Sequence, residues 1–389
     1  TSSMAAIPNT PTGSPRSDPN LAHSAAFAVR RQRGVSALRH TGNHPSFFMR
    51  IVHLLLTRSF AGSERHAIEL ANAQSEHHEV TLILRKSAQS GRPGGYAHRV
   101  DPRVRVLWVG KWLGRWQARR LVQRLRPDVA HAHLSDGCKA LGGLSGLEGQ
   151  VLRVATLHIC YKPQQHARLD ALVAIASWQM DAIPAPLRAH TSQIDNWTLP
   201  YRPAADARQR LRAQHGIAPD AWVFGALGRM DRSKGFDLLL DAFERARLPQ
   251  DAYLVIVGRG AELEALRRRA MPRIILPGFS EQPADWLAAF DGFVSPARDE
   301  PFGLVFLEAM AAELPIIATQ TQGARHLSAA LGARMVPLED AAALAEALKA
   351  QYAQRPPRCD RPIGAYSAEA KTAEVEAFYL RELALARAR

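Results

Sequence analysis

Residues 222–246 read WVFGALGRMDRSKGFDLLLDAFERA and contain the clearest fold signal in the chain. The stretch begins with the apolar run Trp222–Leu227, continues through the basic, glycine-rich turn Gly228–Gly235, and then places apolar residues at helical spacing over Phe236–Ala246. A buried strand, a tight turn and an amphipathic helix in this order form one β-α unit, whose helix returns the chain for a parallel strand. The sequence therefore predicts a parallel sheet covered by helices.

The same alternation extends in both directions along the chain. The other predicted strands are Ile51–Leu56, Val80–Leu84, Val104–Val109, Asp128–Ala132, Val151–Leu157, Ala171–Ala176, Tyr253–Val257, Arg273–Leu276, Gly292–Val294 and Ile316–Ala318. Prolines 184, 186, 200 and 203 interrupt the pattern, so a domain boundary is expected there. The prediction is an α/β protein with two doubly wound, Rossmann-like domains facing a central cleft, where ligands of such sheets bind.

The domain limits follow from this pattern. Residues 1–48 are rich in Pro, Ser, Thr, Ala and Arg and are interpreted as a disordered extension. Residues 49–200 form the first domain, and residues 201–365 form the second. A helix over 366–389 is expected to pack back toward the first domain.

Composition narrows the function classes. The 389 residues carry a net charge of +14, and residues 50–200 hold 20 Lys and Arg against 11 Asp and Glu, whereas residues 201–389 hold 25 against 24. A basic first half indicates an anionic partner: nucleic acid, a membrane surface or a phosphorylated substrate. The basic residues are scattered and accompany no nucleic-acid motif, which disfavours nucleic acid. A solvated, solubilising surface is the alternative.

The lengths of the apolar runs and the cysteine spacing exclude further classes of protein. No apolar run is long enough to cross a bilayer, and no segment has the pattern of a secretory signal. The three cysteines have no metal-ligand spacing, which indicates a reducing cytosol without a disulfide framework or zinc site. No Asp-x-Asp motif is present, so neither a metal nor another cofactor is expected.

The turn Gly228–Gly235 carries the first chemical signal. Arg229 and Lys234 bracket it, and its glycines permit close approach of the backbone to a ligand. Two cations beside a helix N-terminus suit a diphosphate, whose negative charge grows as it leaves. An ordinary basic strand–helix turn is the alternative for this segment alone.

A pair of glutamates carries the second signal. Glu300 stands in a loop held by Pro301 and Gly303, and Glu308 follows one turn into the next predicted helix. Backbone N–H groups from Phe302 to Leu304 would point at phosphate or sugar oxygens. An N-cap at Glu300 and a surface position for Glu308 are the alternatives.

Taken together, these segments resemble glycosyltransferase family 4, a group of retaining enzymes with the GT-B fold. Gly258-Arg259-Gly260 and Pro277-Gly278-Phe279 belong to the resemblance, and seven residues separate Glu300 from Glu308, as in the family's E-x7-E motif. The resemblance is specific over roughly a hundred residues and looser over residues 49–385.

The resemblance implies roles for individual residues in the second half. Arg229 and Lys234, with Gly228, would hold the donor diphosphate. Glu300 would contact hydroxyls of the donor sugar, and Glu308 the ribose. The backbone of Phe279 would lie against the base, while Phe302, Gly303 and Leu304 would line the donor. In retaining relatives the leaving diphosphate itself helps to deprotonate the acceptor, so the two glutamates are not a hydrolase pair.

The first half offers fewer matches. Gly62 and Ser63 resemble the family's turn beside the diphosphate, and Glu64 and Arg65 follow on the acceptor side, although Ala61 stands where the family often has glycine. His158 matches a histidine that neighbours the donor sugar in relatives, and this implies a catalytic role. For His131 a structural role is expected, and for His133 both interpretations remain open.

A tryptophan-rich segment concerns the acceptor. Trp108, Trp112 and Trp116 fall at helical spacing among cations that include Arg115. Tryptophans and cations on one helix suit an anionic membrane surface, with contact through Trp112, Arg115 and Trp116, and core packing of Trp108 and Trp112 is the alternative.

The expected function is transfer of a hexose or related sugar from a nucleotide-diphosphate donor to a glycan or lipid-linked acceptor, as in bacterial lipopolysaccharide or surface polysaccharide synthesis. The expected location is the cytoplasm, peripheral to the inner face of the cytoplasmic membrane. A catalytically silent subunit that binds a nucleotide sugar or glycan, and another GT-B enzyme such as a sugar-nucleotide epimerase, are the alternatives.

Overall fold

The computed structural model describes residues 48–58, 60–92 and 94–388, which all belong to one unit of the chain. The expected extension over 1–48 therefore lies outside the described residues, apart from Phe48.

The first half contains a parallel sheet of seven strands in the order β3-β2-β1-β4-β5-β6-β7. The strands are β1 Arg50–Leu55, β2 Glu79–Arg85, β3 Arg105–Val109, β4 Val129–His133, β5 Leu152–Leu157, β6 Ala171–Ala174 and β7 Thr191–Gln193. The helices are α1 Gly62–Gln74, α2 Gly114–Leu125, α3 Leu134–Leu141, α4 Pro163–His166 and α5 Ala185–Arg188. The interior strands are buried on both faces, which is why they read as mostly apolar runs, interrupted by His53 in β1 and by His131 and His133 in β4.

The second half contains a parallel sheet of six strands in the order β10-β9-β8-β11-β12-β13. The strands are β8 Trp222–Leu227, β9 Ala252–Val257, β10 Ile274–Gly278, β11 Gly292–Ser295, β12 Ile316–Thr319 and β13 Arg334–Val336. The helices of this half are α6 Ala207–Gln214, α7 Phe236–Ala246, α8 Leu263–Arg269, α9 Pro283–Ala289, α10 Leu304–Ala311, α11 Gln322–His326, α12 Ser328–Leu331 and α13 Ala341–Gln354. The expectation of two doubly wound sheets is confirmed.

Helix α14, Ala368–Arg387, begins with a cap in which the Ser367 hydroxyl accepts a hydrogen bond from Ala370 N. It packs against α1 and β5 of the first half, where Val375, Phe378 and Tyr379 are buried. Removing one such buried aromatic side chain costs roughly 3–5 kcal/mol, so these side chains anchor the helix firmly.

Three sequence expectations need correction. Strands β7 and β13 were not expected, because three-residue segments such as Thr191–Gln193 are too short to show an apolar run. The predicted tryptophan helix was also wrong. Trp108 lies in strand β3, Trp112 lies in a bend, and only Trp116 belongs to α2. The β-prone run Val106–Val109 extends the strand, and Gly110 delays the helix until Gly114.

Candidate functional site

The predicted site residues follow strands that flank the reversal of strand order in each sheet. In the second sheet this point lies between β8 and β11, and in the first sheet between β1 and β4. Doubly wound sheets leave a crevice at such a point, outside the carboxyl ends of the strands. The turn with Arg229 follows β8, the loop with Glu300 follows β11, helix α1 follows β1, and His133 ends β4.

The turn after β8 is packed backbone against backbone on the loop after β9. A Cβ atom at Gly258 would lie 1.8 Å from the carbonyl oxygen of Gly228, so only glycine fits there. Arg229 extends from this turn with 65% of its side chain exposed, and its guanidinium lies 3.4 Å from a carboxylate oxygen of Asp231. The glycines thus fix the turn, and Arg229 remains accessible to a ligand.

Lys234 and Glu300 come together across the reversal point of the second sheet. Lys234 Nζ donates a hydrogen bond of 2.6 Å to Glu300 Oε2, and the two side chains are only 18% and 14% exposed. Gly235 adopts a φ of +64°, and a Cβ there would meet the carbonyl oxygen of Pro296. Two residues predicted separately from sequence therefore form one ion pair.

Helix α10 begins directly after this pair. Its N-cap is Gly303, in a left-handed conformation with φ of +89°. The side chain of Phe302 is buried, so only its backbone can face a ligand, while Leu304 is partly buried. The first N–H groups of a helix have no partner within the helix and carry partial positive charge, which makes this end suitable for an anion.

The first half contacts the second at the same place. Arg65 Nη1 donates to Glu308 Oε1 at 2.6 Å, and a Cβ at Gly62 would lie 3.2 Å from Leu304 Cδ1. Trp178 Nε1 donates to Pro301 O at 2.9 Å. The loops predicted to bind the donor therefore face each other across the two halves.

The side chain of Glu64 is buried, whereas those of its neighbours Ser63 and Arg65 are partly exposed. It is 5% exposed and accepts a hydrogen bond from Ala61 N at 3.0 Å, which caps the first turn of α1. Burial raises the pKa of Glu64, against the opposing effects of that hydrogen bond and of the Arg229 charge. Ser63, next to it, is partly exposed at the helix start. The Glu64 carboxylate is thus committed to the helix, and Arg229 lies close enough to influence it.

The histidines form a buried cluster in the first half. His131 and His133 are fully buried, and His158 is 8% exposed. His133 Nδ1 lies 3.2 Å from His158 Nε2, whereas His131 contacts Tyr379 Oη and Thr156 Oγ1. The structural role expected for His131 agrees with these contacts, and His133 is linked directly to His158.

Three members of this environment were missed by sequence reasoning: His53, His66 and Gln74. The only signal was their residue type, because a polar side chain in a buried strand or helix face is unusual. His53 lies opposite His131 in the β1–β4 register, and its ring nitrogens come within 4.8 Å of those of His131 and His133, close enough to suggest a metal.

Burial lowers the pKa of each ring in the cluster. It lowers the pKa of His53 to about 4 and that of His158 to about 3. Burial also lowers the pKa values of His66, His131 and His133, and neighbouring histidines act in the same direction. All five rings are therefore neutral near pH 7.

The side chain of Phe279 is exposed to solvent. Phe279 is 52% exposed after β10, and the guanidinium of Arg259 stacks over its ring at 4.3 Å. This pair forms a flat surface beside Gly258, and Arg259 had no predicted role beyond its motif.

The tryptophan segment lies at edge strand β3. Trp112 is 88% and Trp116 52% exposed, with Lys111 and Arg120 over the respective rings, and Arg115 is exposed between them. Trp108 is partly buried and packs against the core, as the alternative interpretation expects, whereas Trp112 does not. Among the described helices, none has the length and apolar character needed to cross a bilayer.

Two family models match adjacent parts of the chain. Residues 60–223 match Glycosyltransferase Family 4, and residues 221–354 match Glycosyl transferases group 1. Between them they cover every strand of both sheets except β1.

Individual proteins agree with these matches. The chain is 27% identical over 320 residues to the lipopolysaccharide core biosynthesis glycosyltransferase LpsE of Rhizobium meliloti, covering 77% of this chain and 88% of that protein. Anabaena HepE in complex with UDP-glucose superposes with a TM-score of 0.66 at 18% identity, over 88% of this chain and 100% of that structure. The lipopolysaccharide outer core galactosyltransferase WaaB superposes with a TM-score of 0.62 at 14% identity, over 86% and 100%. These likenesses confirm the GT-B fold.

Proposed function

The chain belongs to glycosyltransferase family 4, and we propose that it transfers a hexose or related sugar, with retention, from a nucleotide-diphosphate donor to a glycan or lipid-linked acceptor. The pairing of Lys234 with Glu300 carries this proposal. It sets a partly buried cation in the same turn as Arg229, at the sheet position where α/β proteins bind nucleotides.

The chemistry requires stabilisation of a leaving group. The bond between the sugar C1 and the diphosphate oxygen breaks, and a bond forms between C1 and the acceptor oxygen. The acceptor proton passes to an oxygen of the leaving diphosphate. Arg229 and Lys234 would stabilise the negative charge that develops on that diphosphate, which is the largest contribution expected in a site of this kind.

The glutamates would bind the donor. Glu300 is held by Lys234, and Glu308 is held by Arg65, so each carboxylate keeps one oxygen for a sugar or ribose hydroxyl. A carboxylate that a cation holds in place can accept a hydrogen bond from a hydroxyl group at a fixed position. This arrangement supports roles in positioning the donor for Glu300 and Glu308.

We further propose that transfer requires no divalent metal, since two cationic side chains and the N-terminus of α10 can together balance the diphosphate. The stacked pair of Arg259 and Phe279 offers a surface for the base. Aromatic rings and guanidinium groups both stack on planar bases.

The acceptor proposal rests on the surface of the first half and on a relative. LpsE acts in lipopolysaccharide core biosynthesis, and the first half of this chain is basic with two exposed tryptophans. We propose a lipid-linked, phosphorylated acceptor at the cytoplasmic face of a membrane, which Trp112, Arg115 and Trp116 contact. Tryptophan prefers the membrane interface, and each cation near an anionic surface contributes about 1 kcal/mol.

The experiment that tests the donor proposal is a thermal-shift screen against UDP, GDP, ADP and their common sugar conjugates in EDTA. A ligand that binds only the folded protein raises its melting temperature. We expect one nucleotide series to stabilise the wild type and to lose its effect in Lys234→Ala. Arg232→Ala is the matched control, since Arg232 is exposed in the same turn. A flat response to every nucleotide would contradict the proposal.

A further inference from the structure

Gln74, His53, His133 and His158 are joined by consecutive hydrogen bonds into a file of four buried side chains, which runs from helix α1 to the end of strand β5. Gln74 Oε1 lies 2.8 Å from His53 Nε2, His53 Nδ1 lies 3.1 Å from His133 Nε2, and His133 Nδ1 lies 3.2 Å from His158 Nε2. The first three side chains are fully buried, and His158 is 8% exposed. Three consecutive hydrogen bonds therefore connect the protein interior to the candidate site.

A metal ion does not explain this cluster. Coordination requires nitrogen lone pairs that converge on one point. The rings of His131 and His133 are stacked with centroids 4.4 Å apart, and those of His53 and His133 with centroids 5.3 Å apart, so their nitrogens lie in nearly parallel planes. Both nitrogens of each of these three rings already have a hydrogen-bond partner within the protein.

The three histidines of the file are neutral, because burial lowers the pKa of each of them far below its usual value. A neutral imidazole donates through one nitrogen and accepts through the other. In a file of neutral rings each hydrogen bond then fixes the direction of the next. Only two arrangements exist, with every proton pointing toward Gln74 or every proton pointing toward the cleft.

The side chain of Gln74 decides between them. Its Oε1 atom lies 2.8 Å from His53 Nε2, and its Nε2 atom has no hydrogen-bond partner among the described residues. The carbonyl oxygen, which can only accept, requires the proton of His53 to sit on Nε2.

We propose that Gln74, acting through His53 and His133, holds His158 in the tautomer protonated at Nε2, so that His158 Nδ1 is a hydrogen-bond acceptor for a hydroxyl group in the cleft. No hydrogen bond joins Nδ1 to any residue that the structure describes. The ring of His66 lies edge-on to that of His158, with ring centroids 5.1 Å apart. Burial lowers the pKa of His66 as well, so this ring is neutral and leaves the tautomer of His158 unchanged.

Gln74, His53 and His133 are accordingly positioning residues. The assignment of this hydroxyl to a donor sugar rests on the proposed function. The tautomer of His158 does not depend on that function. An acceptor at this point favours a ligand hydroxyl and disfavours a group that can only accept, because two facing acceptors leave a buried lone pair unsatisfied.

The test is long-range 1H–15N correlation spectroscopy on ligand-free protein labelled at histidine, with His158 assigned by the peak that disappears in His158→Gln. We expect wild-type His158 to show a protonated Nε2 and a bare Nδ1. The opposite tautomer in the wild type would overturn the inference without any further variant. Stoichiometric metal in the purified protein, bound at His53 and His133, would overturn it as well.

A variant pair tests the role of Gln74. Gln74→Met fills the same space without an acceptor, so His158 should become a mixture of tautomers or reverse. Gln74→Glu keeps an acceptor and should preserve the wild-type tautomer, and Gln123→Met, on the partly exposed face of α2, is the matched control. An unchanged His158 spectrum in folded Gln74→Met would contradict the role of Gln74.

Sugar transfer separates this inference from the proposed function. Loss of one hydrogen bond to the donor should lower kcat/KM by about ten-fold in Gln74→Met, and Gln74→Glu should restore much of it. If the spectra behave as expected and no nucleotide sugar is turned over by the wild type, then the proposed function fails and the tautomer assignment stands.

Discussion

Arg65 Nη1 lies 2.6 Å from Glu308 Oε1, and this contact joins helix α1 of the first half to helix α10 of the second. The two side chains remain 27% and 17% exposed. Arg65 Nε also lies 3.4 Å from a carboxylate oxygen of Glu69, so one guanidinium serves two carboxylates. The residue expected to hold the donor ribose is therefore oriented by a cation from the opposite half.

This relationship predicts coupled effects on nucleotide affinity. Glu308→Gln should raise the Kd of the nucleotide about ten-fold, since it weakens a charge-assisted hydrogen bond to the ribose. Arg65→Met should raise the Kd by a similar factor, because Glu308 loses its orientation. Titration calorimetry on both single variants and on the double variant measures this. The Kd of the double variant should be close to that of Glu308→Gln alone, which corresponds to a coupling free energy between the two residues of about 1 kcal/mol. Additive effects would refute the coupling, and Arg103→Met, in an exposed pair with Asp101, is the control.

The ion pair of Lys234 and Glu300 predicts a loss of catalysis without a loss of fold. Lys234→Ala should lower kcat by about 100-fold to 1000-fold, because a charge that stabilises the leaving diphosphate disappears. Glu300→Ala should also reduce transfer severely, through misplacement of the sugar. Circular dichroism should stay native, and the melting temperature should fall modestly, since each variant leaves one partly buried charge unpaired. Near-normal turnover in either variant would remove that residue from the site.

The sequence was informative where several strands deliver residues to one edge of a sheet. Parallel strands place their carboxyl ends together, so Arg229, Lys234 and Glu300 could be grouped from the strand pattern and their motifs. The same reasoning placed His158 at a strand end. Strand β8 and helix α7 have the predicted limits because β8 is one apolar run that ends before Gly228, and α7 has a strongly periodic apolar face that begins after Gly235.

The sequence was uninformative where a contact depends on how one element packs on another. Gln74 and His53 are 21 residues apart, and their hydrogen bond exists because the last turn of α1 lies over β1. Nothing in the local pattern distinguishes this Gln from a solvated one. The tryptophan spacing was misleading for a different reason, since a four-residue interval occurs by chance when a strand, a bend and a helix follow one another.

The histidine cluster predicts a steep loss of stability in mild acid. Burial lowers the pKa of His53 to about 4, while the unfolded chain binds protons at such a ring below about pH 6.5. More protons therefore bind to the unfolded state as the pH falls from 6.5 toward 4, so stability is complete above that range and decreases within it. Urea unfolding between pH 7.5 and 5 should show this decrease.

One variant isolates a single ring of the cluster. In His131→Gln the dependence of unfolding free energy on pH should be shallower than in the wild type by about 1 kcal/mol per pH unit between pH 6 and 5, because one proton-binding difference is removed. His98→Gln is the matched control, since His98 is exposed. Parallel curves for wild type and His131→Gln would show that His131 is protonated equally in both states.

The exposed tryptophans predict binding to anionic vesicles. Replacing Trp112 and Trp116 with Ser should weaken binding to vesicles that contain phosphatidylserine by at least ten-fold, because two interfacial aromatic side chains are lost. Replacing Arg115 with Ser should act mainly through charge, so its effect should diminish at high salt, whereas the tryptophan effect should persist. Cosedimentation at low and high salt separates the two contributions.

The control must be an exposed apolar residue away from this basic surface. Leu338 is 42% exposed in the second half, after β13, and Leu338→Ser should leave vesicle binding unchanged. Equal losses in Leu338→Ser and in the tryptophan variant would point to a general effect of surface polarity. Unchanged binding in the tryptophan variant would mean that the exposed rings face something other than lipid, and an acceptor glycan, which aromatic side chains can also contact, would then be the next ligand to measure.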